Sequence, residues 1–340
     1  MAATRYDALL VVSFGGPEQE ADVIPFLENV LRGRNVPRER MLEVAEHYYH
    51  FGGRSPINDQ NRALIAALTA EMARHGISLP IYWGNRNWHP LLSDTIQKMK
   101  ADGVKRALAF VTSAFSSYSG CRQYREDIAR ALGAVGAGAP EIDKLRGFYN
   151  HPGFLGAMAD RVRSALDQIP PERRPGAALL FTAHSVPLSM ASSSDYVVQL
   201  EEAARIVAAD LGRTDWRLVY QSRSGPPSQP WLEPDVSDAL RDLAAAGFQD
   251  AVVAPLGFIS DHMEVVYDLD TEARAVSEAI GLNMVRAGTA GTHPQFIAMI
   301  RELIQERLAD CPRRSLGSFG PRPDFCPENC CPAPARPAAR

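Results

Sequence analysis

What the chain lacks narrows it first. No apolar run approaches the roughly 20 residues that a membrane-spanning helix requires. Neither sign of charge dominates: 36 Lys+Arg stand against 40 Asp+Glu, a formal net charge of −4, so no overall field draws the chain onto nucleic acid. The opening MAATRYDALLVVSFGG has neither a basic n-region nor a small-residue cleavage site, and a cytoplasmic protein is the expectation. Cysteine is scarce. Of 5 Cys, only Cys121 lies in the body, while Cys311, Cys326, Cys330 and Cys331 crowd the end. An odd number gathered in one tail argues against a secreted disulfide framework. Cys-x3-Cys-Cys reads instead as a metal or cluster site.

What is present describes a packed protein. Hydrophobic residues make up 46% and charged ones 22% of 340 residues, ordinary for a globular chain long enough for two domains. Short apolar runs alternate with amphipathic stretches throughout. Residues 6–13 (YDALLVVS), 79–83, 107–112 (ALAFVT), 177–182 (AALLFT), 216–220 and 251–255 read as strands. Their apolar character is nearly continuous, as in parallel strands covered on both faces. Helical periodicity marks residues 61–74, 93–102, 200–211, 235–246 and 294–308. The β-α-β-α order implies an α/β fold with parallel sheets flanked by helices.

The chain also repeats weakly. DALLVVSFGGP resembles AALLFTAHSVP, and the stretch from IYWGNRNWHP to FVTSAF resembles that from LVYQSRSG to PLGFI. Two similar Rossmann-like lobes follow, over residues 1–150 and 151–310. Residues 311–340, rich in Cys, Pro and Arg, have no core of their own and are expected to be loose unless a ligand organises them. In open α/β sheets, functional groups gather at the carboxyl ends of strands. That rule selects residues 13–17, 113–124, 183–187, 221–227 and 257–264. His184 follows one strand, and a pKa near 6.5 suits it to accept protons at neutral pH. Glu264 follows another, with Asp261, His262 and Asp268 close by in sequence. These acids also suit a helix's first turn, with Asp261 as its N-cap; lodged with His184 they make a proton relay or a divalent-metal site.

FGGP at Phe14, LRGRNVP at Leu31, HFGGRSPIN at His50, GNRNWHP at Gly84, TAHSVP at Thr182, WLEPDV at Trp231 and PLGFISDHMEVVYDLD at Pro255 together resemble the ferrochelatases. The likeness is closest to the actinobacterial coproporphyrin III type. It implies a chelatase-type fold with a porphyrin cleft and insertion of Fe²⁺ into coproporphyrin III. His184 and Glu264 would remove protons and contact the metal. It also implies that Arg32, Arg34, Arg54, Ser55 and Tyr124 line the site of the four propionates, and Trp88 either stacks on the ring or belongs to the core. Phe14 stands where some similar enzymes carry Tyr, and it cannot ligate a metal. Cys121, Cys326, Cys330 and Cys331 match the ligands of a [2Fe–2S] cluster, with Cys311 left over and zinc as the alternative. On that reading the cluster pins the tail, and loss of Cys121 loosens it. The resemblance implies binding of coproporphyrin III and ferrous iron and transient contacts with neighbouring haem-pathway enzymes, and a monomer is the expectation because no exposed heptad or edge-strand pattern argues otherwise. The alternatives are a protoporphyrin IX enzyme, a cobalt- or nickel-inserting chelatase, a porphyrin carrier without catalysis, and a two-lobed solute binder.

Overall fold

The structure, a computed structural model, describes residues 6–33, 36–226, 228–309 and 311–333. The first lobe runs β1 (Ala8–Ser13), α1 (Glu20–Leu31), α2 (Arg38–Tyr49), α3 (Ile57–Arg74), β2 (Ile81–Asn85), α4 (Leu92–Ala101) and β3 (Arg106–Val111). A π-helical turn (Tyr118–Arg122), α5 (Gln123–Val135) and β4 (Glu141–Lys144) complete it. Next come α6 (Pro152–Leu166), β5 (Ala178–His184), α7 (Leu188–Ala191), α8 (Tyr196–Asp210), β6 (Arg217–Gln221), α9 (Val236–Ala245) and β7 (Asp250–Ala254). The second lobe closes with α10 (Met263–Tyr267), a π-helical stretch (Asp268–Ala273), α11 (Arg274–Ala279), β8 (Asn283–Arg286) and α12 (Pro294–Leu308).

Each lobe carries a four-stranded parallel sheet, ordered β2-β1-β3-β4 in one and β6-β5-β7-β8 in the other. The weak internal repeat is therefore a repeat of topology. β1 and β7 are buried at every position and β5 at most of its positions, which is why they read as apolar runs rather than as alternating strands. The edge strands β4 (EIDK) and β8 (NMVR) are short and largely polar, and gave no such signal.

One core joins the lobes. Leu9 and Val11 of β1, Phe181 and Ala183 of β5, Leu200 of α8 and Phe296 of α12 belong to a single buried cluster. Helices α6 and α12 begin alike, with His151 and His293 capping Gly153 and Gln295 and a proline in the first turn. They lie so close that a Cβ on Gly153 would sit 2.6 Å from the Gln295 carbonyl.

Residues 311–333 are not loose. Leu316 N–H donates to the Asn150 carbonyl at 2.8 Å, and Asn150 Nδ2 donates to the Gly320 carbonyl at 2.7 Å. The buried Glu202 carboxylate accepts from Ser318 N–H at 2.7 Å. Arg146, whose side chain is fully buried, donates to the Arg314 carbonyl at 2.9 Å, and Arg322 pairs with Asp195 at 3.0 Å. The segment is a strap held by polar contacts, which apolar periodicity does not register.

Candidate active site and thiol cluster

His184 ends β5, and Glu264 lies in the first turn of α10, just after β7. Both therefore stand at the carboxyl end of the second sheet. His184 Nε2 is 3.5 Å from Glu264 Oε2, and His262 Nδ1 lies 3.8 Å from the same oxygen. The other ring nitrogen, His184 Nδ1, donates to the Ser185 carbonyl, and Tyr196 Oη donates to the His184 carbonyl at 3.0 Å. That leaves Nε2 as the atom facing Glu264. A third of the His184 side chain and about half of Glu264 stay accessible, although protein surrounds both.

The pair is electrostatically locked. Burial alone would lower the His184 pKa, but the Glu264 carboxylate, the bond to Ser185 and Asp268 together hold it at about 9. Burial likewise works against the charged form of Glu264, and His184 with His262 outweighs it, holding the carboxyl at about 2. At pH 7 the ring is thus an imidazolium, not the neutral base that an ordinary pKa of 6.5 suggests; the partner carboxylate is the reason. His262 is pushed down by its burial, against the pull of Glu264. Asp268, desolvated and near Glu264, is raised to about 7 even though the Ser222 hydroxyl donates to it.

The remaining acids have structural partners. Asp261 pairs with Arg286 at 3.1 Å and takes no part in capping; His262, not Asp261, is the N-cap residue of α10, without a side-chain cap bond. The first lobe roofs α10: His47 of α2 stacks on Tyr267 at 3.7 Å, and Met263 packs among Phe26, Met41 and Tyr48. Phe14 and Trp88 lie half-buried against the same cluster, each edge-on to Phe26 at 6.2 and 6.4 Å.

The described residues expected to meet propionates each have partners of their own in the structure. Arg32 is exposed beyond α1 and bonds Asn29 Oδ1 at 2.5 Å; Arg34 lies outside the described residues. Arg54 is exposed and paired with Asp59. Ser55 is 3% exposed and sits against Gly16, and Tyr124 is 5% exposed with the Arg86 guanidinium 4.5 Å above its ring. The Arg86 side chain is 6% exposed, paired with Asp127 and 5.7 Å from the Phe14 ring. It was not foreseen, although it stands in the GNRNWHP stretch. Gln221 and Ser222 were likewise not singled out, although the strand-end rule marked the segment that holds both.

Four thiols meet at the strap. Cys121 lies in the π-helical turn, and the Cys326 thiol is beside those of Cys121 and Cys330. Cys330 and Cys331 Sγ are 3.6 Å apart. The Cys121 thiol is pushed up by its contact with Cys326 and by burial, while that contact lowers Cys326 to about 7. Arg122 donates to the Glu328 carbonyl at 2.6 Å, tying the turn to the strap. Cys311 is exposed. Among the described residues, no three His, Cys, Asp or Glu side chains close to the spacing of a site for one metal ion.

This plan is that of a chelatase. SirB from Bacillus subtilis with Fe³⁺ aligns at a TM-score of 0.57 over 90% of this chain and 97% of that one, and at 12% identity the likeness is one of fold alone. CbiX, the terminal enzyme of sirohaem biosynthesis in denitrifying bacteria, aligns at 0.51. A family model described as Ferrochelatase matches residues 6–308. The chain is 59% identical over 330 residues to Ferrochelatase of Rhodopirellula baltica, covering 96% of this chain and 93% of the relative. It is 56% identical to Coproporphyrin III ferrochelatase of Frankia alni (98% and 88% covered) and 52% identical to that of Streptomyces coelicolor (99% and 96%). The chain belongs to the ferrochelatase family, the lyases that insert iron into a porphyrin during haem synthesis.

Proposed function

We propose that this enzyme inserts Fe²⁺ into coproporphyrin III, giving Fe-coproporphyrin III, with His184 and Glu264 handling proton removal and metal delivery. The observation that carries the reading is the His184–Glu264 pair, 3.5 Å apart on the wall of the cleft. Insertion exchanges one dication for two pyrrole protons, so the site needs proton acceptors and a place for a cation. Glu264 supplies fixed negative charge for Fe²⁺. A dication arriving there drives the imidazolium proton to solvent water, freeing Nε2 to contact the metal or to take one pyrrole proton while water takes the other. Binding a distorted ring under the roof of the first lobe presents the nitrogens to this pair by differential binding. The names of the Frankia and Streptomyces relatives favour coproporphyrin III, and Arg32, with Arg34 two residues on in sequence, suits its carboxylates.

The four thiols suit a [2Fe–2S] cluster held by Cys121, Cys326, Cys330 and Cys331. Two thiolates of one tetrahedral metal, at about 2.3 Å each, stand about 3.8 Å apart, close to the 3.6 Å between Cys330 and Cys331. A two-iron cluster spreads four ligands more widely than one ion does, and such a group supplies one-electron chemistry. Cys121→Ser is expected to abolish its visible absorbance; an unchanged spectrum contradicts this assignment. Thiols kept for a cluster fit a reducing cytoplasm, and the chain is read as a monomer.

The deciding experiment for the substrate is anaerobic insertion of Fe²⁺ with coproporphyrin III and protoporphyrin IX side by side. Preferential turnover of coproporphyrin III is expected. Equal or better use of protoporphyrin IX overturns the substrate, and tight porphyrin binding without turnover overturns the catalytic reading of this site.

A further inference from the structure

His184 and Glu264 belong to segments that leave different strands, so something must fix their separation. The strand order β6-β5-β7 puts β6 beside the strand that bears His184. In the β5–β6 register, Gln221 stands opposite His184. Its carbonyl accepts Ser185 N–H at 2.7 Å, one residue past the imidazole. Its side chain reaches the other way: Nε2 donates to the backbone carbonyl of Glu264 at 3.1 Å and to Asp268 Oδ2 at 3.4 Å. One residue, 1% exposed, is thus bonded both to the chain at His184 and to Glu264 itself.

Its neighbour reinforces the tether. Ser222 donates from Oγ to the same Asp268 oxygen, and it holds φ +62, a region that non-glycine residues rarely adopt. Such backbone persists only when its surroundings over-determine it. The Gln221 amide is also a poor choice for stability alone, because its Oε1 is buried without a partner. An apolar side chain of equal size would leave no orphaned acceptor there. What the amide adds is its pair of bonds to the acidic segment.

We propose that Gln221 is a positioning residue that sets the spacing between His184 and Glu264, with Ser222 anchoring the acidic segment behind them. The inference rests on the reading of that pair as the metal-delivery site. The test varies Fe²⁺ and porphyrin separately in the anaerobic assay, with the porphyrin Kd measured by fluorescence quenching. Gln221→Leu is expected to keep the porphyrin Kd within about twofold while kcat/KM for Fe²⁺ falls about 10- to 100-fold, as for an ångström-scale misplacement. Ser222→Gly suits the left-handed backbone, so it folds even if Gln221→Leu does not, and its kcat/KM for Fe²⁺ is expected to fall several-fold. The proposal is overturned if a folded Gln221→Leu keeps its Fe²⁺ kinetics, or loses porphyrin binding in the same proportion. If that variant does not fold, unchanged Fe²⁺ kinetics in Ser222→Gly overturn it. Glu264→Gln in the same assay separates the two ideas. A loss there without one at Gln221 sinks the tether alone, whereas unchanged Fe²⁺ kinetics in Glu264→Gln sink the site reading itself.

Discussion

At the scale of single residues, the informative quantity is the charge state of His184. Burial pushes its pKa down, and Glu264 reverses that. Removing the charge on Glu264 should therefore do more than remove one acid. In Glu264→Gln, the His184 pKa is expected to drop from about 9 to 6.5 or below, read from the pH dependence of its imidazole resonances. A value remaining near 9 would show that Glu264 is not what holds the proton. The same coupling has a stability signature. His184 is raised above its ordinary 6.5, so its contribution is complete below pH 6.5 and is lost as pH rises through about 9. Glu264 is lowered from 4.5, so its contribution is complete above pH 4.5 and is lost as pH falls through about 2. The stability gap between the native enzyme and Glu264→Gln should therefore be widest between pH 4.5 and 6.5 and close toward pH 9. Partial exposure of both side chains keeps that gap modest.

At the scale of elements, the strap is where the structure departs most from the sequence reading. Its docking uses Asn150, Glu202, Arg146 and Asp195, none of them a thiol. Cys121→Ser should accordingly lose the cluster absorbance yet leave the strap in place. Hydrogen exchange reads this directly, because Leu316 and Ser318 N–H are each held by one body residue. Both amides are expected to stay protected in Cys121→Ser, and rapid exchange at either would restore the idea that the cluster alone pins the tail. The turn presenting Cys121 depends on Gly120, where a Cβ would lie 2.8 Å from Ser113 Oγ and 3.0 Å from the Phe115 carbonyl. Periodicity marked the central strands and helices α3, α4, α8, α9 and α12, though not α6, because burial on a fixed face leaves an apolar rhythm. It missed β4 and β8, which are short polar edges, and the strap, whose contacts are carbonyls and charges. The sequence reading singled out His184 and Glu264 through strand ends and resemblance, and the structure sets them 3.5 Å apart. It could not find Gln221, whose role lies in two hydrogen bonds to chain distant in sequence, nor see that Ser55 and Tyr124 are buried.

At the scale of the whole molecule, the two sheets share one core on their facing sides, while each keeps a smaller cluster of its own on the other face. Phe154 of α6 and Phe296 of α12 meet at 6.1 Å within the cluster that also takes in β1 and β5. Helix α12, from the end of the second lobe, packs on α3 of the first, and Arg301 reaches Glu71 there at 3.2 Å. Arg146, between the lobes, forms a doubly bonded pair with Glu306 at 2.7 and 2.9 Å, the two side chains 0% and 3% exposed. Lobes built this way should unfold together. Trp83 stands in β2 of the first sheet and Trp216 packs against Phe181 of the second, so each reports on its own lobe. Variants retaining only Trp83 or only Trp216 are expected to give coincident urea transitions by fluorescence and by circular dichroism. Arg146→Met leaves the Glu306 charge buried without its partner, at a cost of about 3–5 kcal/mol. Because that pair sits in the shared core, both tryptophan curves should shift by the same amount. A shift confined to one of them would mean that the lobes are independent, and that the cleft between them opens without disturbing either core.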